Sequence, residues 1–194
     1  MPAIESVTVF CGSAPGASPR YVEAVREFAG RLARAGIRAV YGGGGSGLMG
    51  AFAESALAAG GEVIGVIPGF LHQREVAHRG VTDLRVVASM HERKQLMFDL
   101  SDAACALPGG LGTLDEVIEL ITWRQLGLHG RSMVILNTDG YWDALRALTE
   151  RIVGDDFAKP DVHGFFDYVA TPEQAVAALS RARPPARRED GARL

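Results

Sequence analysis

Short apolar, β-branched runs alternate with longer amphipathic stretches along most of this chain, and that alternation restricts the possible folds more than any other feature. The runs are SVTVFC (6–11), IRAVY (37–41), EVIGVI (62–67), DLRVV (83–87), ACAL (104–107) and MVIL (133–136). Helical patterns fill the intervals over about 19–35, 48–59, 90–101 and 114–126, and another starts near Tyr141. Strand and helix in regular succession predict an α/β fold, a Rossmann-like, doubly wound domain whose mostly parallel sheet carries helices on both faces. The aromatic-rich stretch 154–168 reads as a loop. TPEQAVAALSRA then reads as a last helix, with Thr171 at its N-cap and Pro172 at N1. Residues 183–194 combine prolines and mixed charges with almost no apolar content, so the expectation is a single domain over 1–182 and a disordered tail.

Three of the strand-like runs end in glycine clusters: CGSAPGAS after the first, GGGGSGLMG after the second and PGGLGT after ACAL. In a parallel sheet such junctions all emerge at the carboxyl edge, where a doubly wound fold binds its ligand. Glycines let the backbone approach a ligand closely, and N–H groups at a helix start favour an anion. No GK[ST] follows any cluster, and GGGSGLMG lacks the acidic partner of a dinucleotide fingerprint. A mononucleotide or sugar phosphate therefore fits better than NAD or ATP. Ser13 reads as a loop residue or phosphate ligand, since no GxSxG elbow surrounds it.

Two helix starts carry the candidate chemistry. In SMHERK, Ser89 and Glu92 have capping-box spacing, which puts Arg93 and Lys94 in or just past the first turn. Cations near a helix N-terminus are disfavoured by roughly 0.3–1 kcal/mol each when exposed, and an anion would offset that cost. A solvated helix start is an equally good account of these two residues. In TLDE, Thr113 and Glu116 have the same spacing, so Glu116 has a plain reading as a cap. Its alternative is a crevice carboxylate that holds ribose hydroxyls, activates water or stabilises a sugar cation. Glu119 and Thr122 follow at helical steps.

Several classes are disfavoured. A net charge of −3 at pI about 6.0 leaves no basic footprint for nucleic acid. No apolar run approaches the roughly 20 residues of a membrane span, and the N-terminus lacks a leader pattern, so a cytoplasmic protein is expected. Cys11 and Cys105 read as reduced core thiols. His72, His78, His91, His129 and His163 show no ligand spacing, so neither a metal nor a cofactor is expected. Met97 and Trp123 read as core, and HGFFDY as either a buried cluster or a stacking surface.

With these motifs assembled, the chain resembles the Lonely Guy (LOG) family, the cytokinin riboside 5′-monophosphate phosphoribohydrolases, often labelled lysine decarboxylase-like. The family's PGGxGTxxE motif appears as Pro108, Gly109, Gly110, Leu111, Gly112, Thr113, Leu114, Asp115 and Glu116. Its MHxRK element runs from Met90 to Lys94, and its YGGGxxGLMG element spans 41–50. VFCGS, ITWRQLG and DGYW are also similar.

The resemblance implies a homodimer that hydrolyses the N-glycosidic bond of an adenine nucleotide monophosphate, releasing free base and ribose 5-phosphate. Carried over by position, Arg93 and Glu116 are the catalytic pair. Lys94, Gly109, Gly110, Leu111, Gly112, Thr113, Thr122 and, by its distance before Arg93, Glu75 contact the nucleotide. Gly43, Gly44 and Ser13 lie in the neighbouring loops. The implied chemistry seats the 5′-phosphate on backbone N–H groups, chiefly at 110–113. Glu116 then orders ribose and water while Arg93 anchors phosphate or helps the departing base. A general nucleotide nucleosidase and a noncatalytic carrier on the same fold are the alternatives. Decarboxylation fits poorly, because a Schiff-base lysine would have to be Lys94 or Lys159, one beside a needed arginine and one before a proline.

Overall fold

The computed structural model describes residues 4–72 and 77–182. Strands β1 (Ser6–Phe10), β2 (Arg38–Tyr41), β3 (Val63–Pro68), β4 (Asp83–Val87), β5 (Ala103–Ala106), β6 (Met133–Leu136) and β7 (Asp167–Val169) form one sheet in the order β4-β3-β2-β1-β5-β6-β7. Every pairing in it is parallel. The chain builds outward from β1 to β4, then crosses back to lay β5 on the other flank of β1. That reversal opens a crevice at the carboxyl ends of β1, β2 and β5.

Helices α1 (Pro19–Arg34), α2 (Gly47–Ala58) and α7 (Pro172–Arg181) cover one face. Helices α4 (Met90–Asp99), α5 (Leu111–Gln125) and α6 (Asp143–Gly154) cover the other, and a single turn, α3 (Gly69–His72), follows β3. Because both faces are covered, β1, β3, β5 and β6 are buried at every position and read as continuous apolar runs. Alternate residues feed two cores. Val7, Val9 and Cys105 pack with Phe28 and Phe52, whereas Phe10, Ala104 and Ala106 pack with Met97, Phe98 and Leu120. Cys11 and Cys105 are buried free thiols, Met97 is fully buried, and Trp123 packs half-buried, edge to face, on Phe98.

The structure corrects the sequence reading at two places. The stretch 154–168 is not all loop: it holds a 3-10 turn at Pro160–Gly164 and the start of edge strand β7. Of the two readings open for HGFFDY, Phe166 takes the buried one and packs in the core. Helix α5 begins at Leu111 with Gly110 as its N-cap, so Thr113 is not a cap and the Thr113–Glu116 capping box does not form. The reason is that two glycines after Pro108 let the chain turn into the helix three residues early, and glycine is itself an acceptable N-cap. Thr171, in contrast, caps α7 with a complete capping box.

The 183–194 segment lies outside the described residues. Among the described residues no helix is long and apolar enough to cross a membrane.

Candidate active site

Three loops meet at the crevice because glycine lets their backbones touch. Gly12 N donates to Pro108 O at 3.1 Å, Met49 N donates to Gly12 O at 3.2 Å, and Ser46 Oγ donates to Ser13 O at 3.3 Å. A Cβ on Gly109 would stand 2.2 Å from Thr113 Oγ1 and 2.9 Å from Gly12 N, while one on Gly47 would stand 2.2 Å from Ser13 O. Gly109 and Gly47 are therefore packing glycines. Gly110 and Gly112 differ, since nothing lies within 4 Å of a Cβ at either position. They face open space at the start of α5, where the backbone is free to approach a ligand.

The two helices that start after the second and third glycine clusters lack a side-chain cap. Neither Ser46 before α2 nor Gly110 before α5 caps its helix with a side chain, whereas Ser18, Ser89 and Thr171 cap α1, α4 and α7. Uncapped N–H groups and the positive end of the dipole make α5 in particular a ready anion seat. Tyr141 closes the loop from the far side: its hydroxyl donates to the Gly109 carbonyl, and its ring packs edge-on against Tyr21 and Trp142.

Arg93 and Glu116 meet beneath this rim. Ser89 caps α4 by accepting from Glu92 N at 3.1 Å, and Glu92 Oε2 accepts from Ala88 N at 2.8 Å, which fixes the first turn and with it the direction of Arg93. Glu116 sits in the second turn of α5 rather than at its cap, so its carboxylate is not spent on a backbone N–H. Arg93 Nη2 stands 3.7 Å from Glu116 Oε1, and the two residues are only 8% and 6% exposed. At that separation the pair attracts without forming a direct hydrogen bond. Among the described residues Arg93 Nε is buried with no hydrogen-bond partner, and Nη1 has only Met90 Sδ at 3.7 Å. A buried donor left unpaired at a crevice is a group waiting for an acceptor.

Burial pushes the Glu116 carboxyl up to about 7, with Arg93 opposing the shift. The Cys11 thiol, at the end of β1, is held strongly in its neutral form by burial, and Glu116 adds to that effect. A protonated thiol beside the pair is a neutral wall rather than a nucleophile.

The other expected site residues are placed as follows. Lys94 Nζ is 3.0 Å from Asp115 Oδ2 and 3.1 Å from Glu119 Oε2, so its ammonium is engaged by α5. Leu111 is 85% exposed at the mouth, and Thr113 is buried under Gly109. Ser13 is exposed on the first loop. Gly43 adopts φ +77°, and its carbonyl accepts from His78 N, while Gly44 bridges to Ala77. Thr122 is exposed and donates its hydroxyl to Ile118 O on its own helix. Glu75 lies outside the described residues. The sequence reading did not find Tyr141 or Cys11 as neighbours of the site, although DGYW and VFCGS were both among the quoted motifs. Among the described residues no cluster of three or more His, Cys, Asp or Glu side chains could hold a metal ion.

Comparison with known proteins adds to this geometry. A family model described as "Possible lysine decarboxylase" matches residues 49–179. A cytokinin riboside 5′-monophosphate phosphoribohydrolase of Rhodococcoides fascians is 43% identical over 179 residues, covering 92% of this chain and 90% of that protein. A probable enzyme of the same name from Oryza sativa subsp. japonica is 48% identical over 160 residues, 82% of this chain and 70% of its own. Among solved structures, the molybdenum cofactor binding protein of the phototrophic bacterium Rippkaea orientalis superposes with a TM-score of 0.68 over 91% of this chain and 95% of that one. At 20% identity that likeness establishes the α/β Rossmann-like fold alone.

Proposed function

The chain belongs to the family of cytokinin riboside 5′-monophosphate phosphoribohydrolases that the lysine decarboxylase-like label covers, and from that premise we propose that it cleaves the N-glycosidic bond of an adenine-type nucleoside 5′-monophosphate. The observation that carries the reading is the buried Arg93–Glu116 pair directly below an uncapped, glycine-lined helix start. A protein that only carried a nucleotide would gain nothing from a desolvated carboxylate beside a phosphate seat.

The 5′-phosphate binds the N–H groups at the start of α5, with the loop after β2 as neighbour. Binding there brings the ribose over Glu116. As the C1′–N9 bond breaks, its electron pair leaves with the base and positive charge grows on C1′ and the ring oxygen. The Glu116 carboxylate stabilises that charge across a buried, low-dielectric gap and orders the attacking water. Water oxygen bonds to C1′ and one of its protons passes to Glu116, while the departing base takes a proton from solvent on nitrogen and Glu116 then returns its own to solvent. Arg93 favours the ionised form of Glu116 against the effect of its burial, and its Nε anchors the phosphate or steadies the leaving base. The products are free base and ribose 5-phosphate.

A pyridoxal-dependent decarboxylation fits these side chains poorly. Schiff-base chemistry needs a neutral amine, and Lys94 is held as an ammonium between Asp115 and Glu119, while Lys159 is exposed before Pro160. A homodimer and a cytoplasmic setting belong to the same proposal.

The test is to incubate the purified protein with AMP and with isopentenyladenosine 5′-monophosphate and to follow base and ribose 5-phosphate by chromatography. Faster release from the prenylated nucleotide supports cytokinin activation, and equal or AMP-favoured release supports general nucleotide hydrolysis. Nucleotide that binds without any release refutes the enzymatic reading.

A further inference from the structure

Gly42 follows directly on β2, is buried, and lies against Arg93. A Cβ built on it would stand 1.8 Å from Arg93 Nη2, 3.0 Å from Arg93 Cζ and 3.1 Å from Met49 Sδ. The neighbouring glycines have reasons of a different kind. Gly43 and Gly47 adopt positive φ, and Gly50 packs against the Gly45 carbonyl, so a side chain there strains backbone. At Gly42 the nearest obstacle is a side chain, and it is the guanidinium of the catalytic pair.

That guanidinium has little else to orient it. Its contacts with Glu116 and with Met90 Sδ are both 3.7 Å, and among the described residues Nε is unpaired. Among the described residues no short directional bond fixes its plane, so the surface it rests on does. We propose that Gly42 is a positioning residue: the bare backbone at the end of β2 is the slot that seats Arg93 against Glu116, and a methyl group there unseats it. The inference deepens the hydrolase reading and rests on it, because Gly42 acts through Arg93 and touches no substrate.

The experiment is a double-mutant cycle of Gly42→Ala, Arg93→Ala and the combined variant, read by base release from AMP and by the pH dependence of thermal unfolding. Gly42→Ala is expected to lose turnover on the order of 10²-fold, the scale of a 1 Å misplacement of a catalytic group. With Arg93 already truncated, the same substitution is expected to cost less than about twofold more, because the slot is then empty. Near-normal turnover in Gly42→Ala, or losses that simply multiply in the double variant, overturns the inference. Should Gly42→Ala fail to fold, the double variant must regain folding, and its failure to do so overturns the inference equally.

The unfolding measurement stands apart from turnover. Glu116 is faced by Arg93 and Lys94 from α4, by Asp115 and Glu119 from its own helix and by the Cys11 thiol from the end of β1. Removing the guanidinium from Glu116 takes away the nearest cation favouring its charged form. The fall of stability with rising pH should then extend to higher pH in Gly42→Ala and in Arg93→Ala alike. A shift in the second variant alone overturns the positioning role. If the wild-type protein releases no base from either nucleotide, the hydrolase reading falls, and this pH comparison still decides what Gly42 does for Arg93.

Discussion

Lys94 Nζ on α4 lies 3.0 Å from Asp115 Oδ2 on α5, one residue along each helix from the Arg93–Glu116 pair. The starts of the two helices are thus joined by two parallel cation–carboxylate contacts, one buried and one at the rim, and Glu119 at 3.1 Å makes the rim contact a fork. Burial of Lys94 opposes its charge, yet the hydrogen bonds to Asp115 and Glu119 outweigh that and raise its pKa above the ordinary value. Lys94→Met keeps the stem and removes the ammonium. We expect a loss of stability of at most about 1 kcal/mol, as for rim ion pairs, with a clear fall in kcat as α4 and α5 lose their register. Unchanged kcat with a raised KM would assign Lys94 to substrate instead.

Glu116 makes stability depend on pH in a stated direction. Its carboxyl titrates near 7 in the folded protein against an ordinary value of 4.5, so between those values the folded state holds the extra proton. Stability is complete below about pH 4.5 and is lost as pH rises through 7. The loss is about 3 kcal/mol, at about 1.4 kcal/mol per pH unit. Glu116→Gln should therefore unfold at a higher temperature than the natural protein at pH 8, while releasing base at least about 10²-fold more slowly. Equal melting of the two at pH 8 would contradict the burial-driven shift.

The same group predicts the activity profile. A carboxylate that stabilises a sugar cation acts only when ionised, so kcat/KM for the nucleotide should rise through an apparent pKa near 7 on its acid limb. A flat profile between pH 5 and pH 8 would place the essential ionisation elsewhere.

Gly110→Ala separates anion binding from folding. A Cβ at Gly110 meets nothing within 4 Å, so the expected cost is only that of alanine as a poorer N-cap, about 1 kcal/mol or a few degrees in melting temperature. The new methyl projects where the phosphate approaches the helix start, and KM for AMP should rise about tenfold. A larger drop in stability with unchanged KM would make Gly110 a packing glycine like Gly109.

Tyr141→Phe removes the hydroxyl that holds the Gly109 carbonyl but keeps the ring contacts with Tyr21 and Trp142. The expected cost is about 1 kcal/mol of stability, the net worth of one hydrogen bond, together with a several-fold loss of kcat/KM. Loss of stability without loss of activity would confine Tyr141 to the scaffold.

Much of this architecture is legible in the residues before any coordinates. The runs that became β1, β3, β5 and β6 are apolar because both faces of the sheet are covered there, and the glycine clusters mark the crevice. Strand β7 is not legible, since three residues at a sheet edge are too few to show a period and DYV is half-polar. The start of α5 is hidden in the sequence because Thr113 and Glu116 have capping-box spacing while the actual N-cap, Gly110, leaves no side-chain signature. At the site, MHERK and PGGLGTLDE mark Arg93 and Glu116 as candidates, but their approach to 3.7 Å depends on how α4 and α5 pack. The fit of Gly42 under Arg93 is a contact between residues far apart in the chain, which no local pattern encodes.

The central place of β1 has a consequence for how the protein is made. Val7 pairs with Ala39 on one side and with Ala103 on the other, and Asp102 Oδ2 accepts from the N–H groups of Glu5 and Ser6 at 2.8 and 3.0 Å. At about 5–20 residues per second, a ribosome needs on the order of 5–20 s to travel from β1 to β5. Throughout that interval the middle strand of the future sheet has an open edge, and the floor of the crevice does not exist. A nascent chain stalled before Ala103 would carry the MHERK helix without its partner carboxylate, exposing Phe10 and Val9 to whatever chaperone or neighbouring strand arrives first.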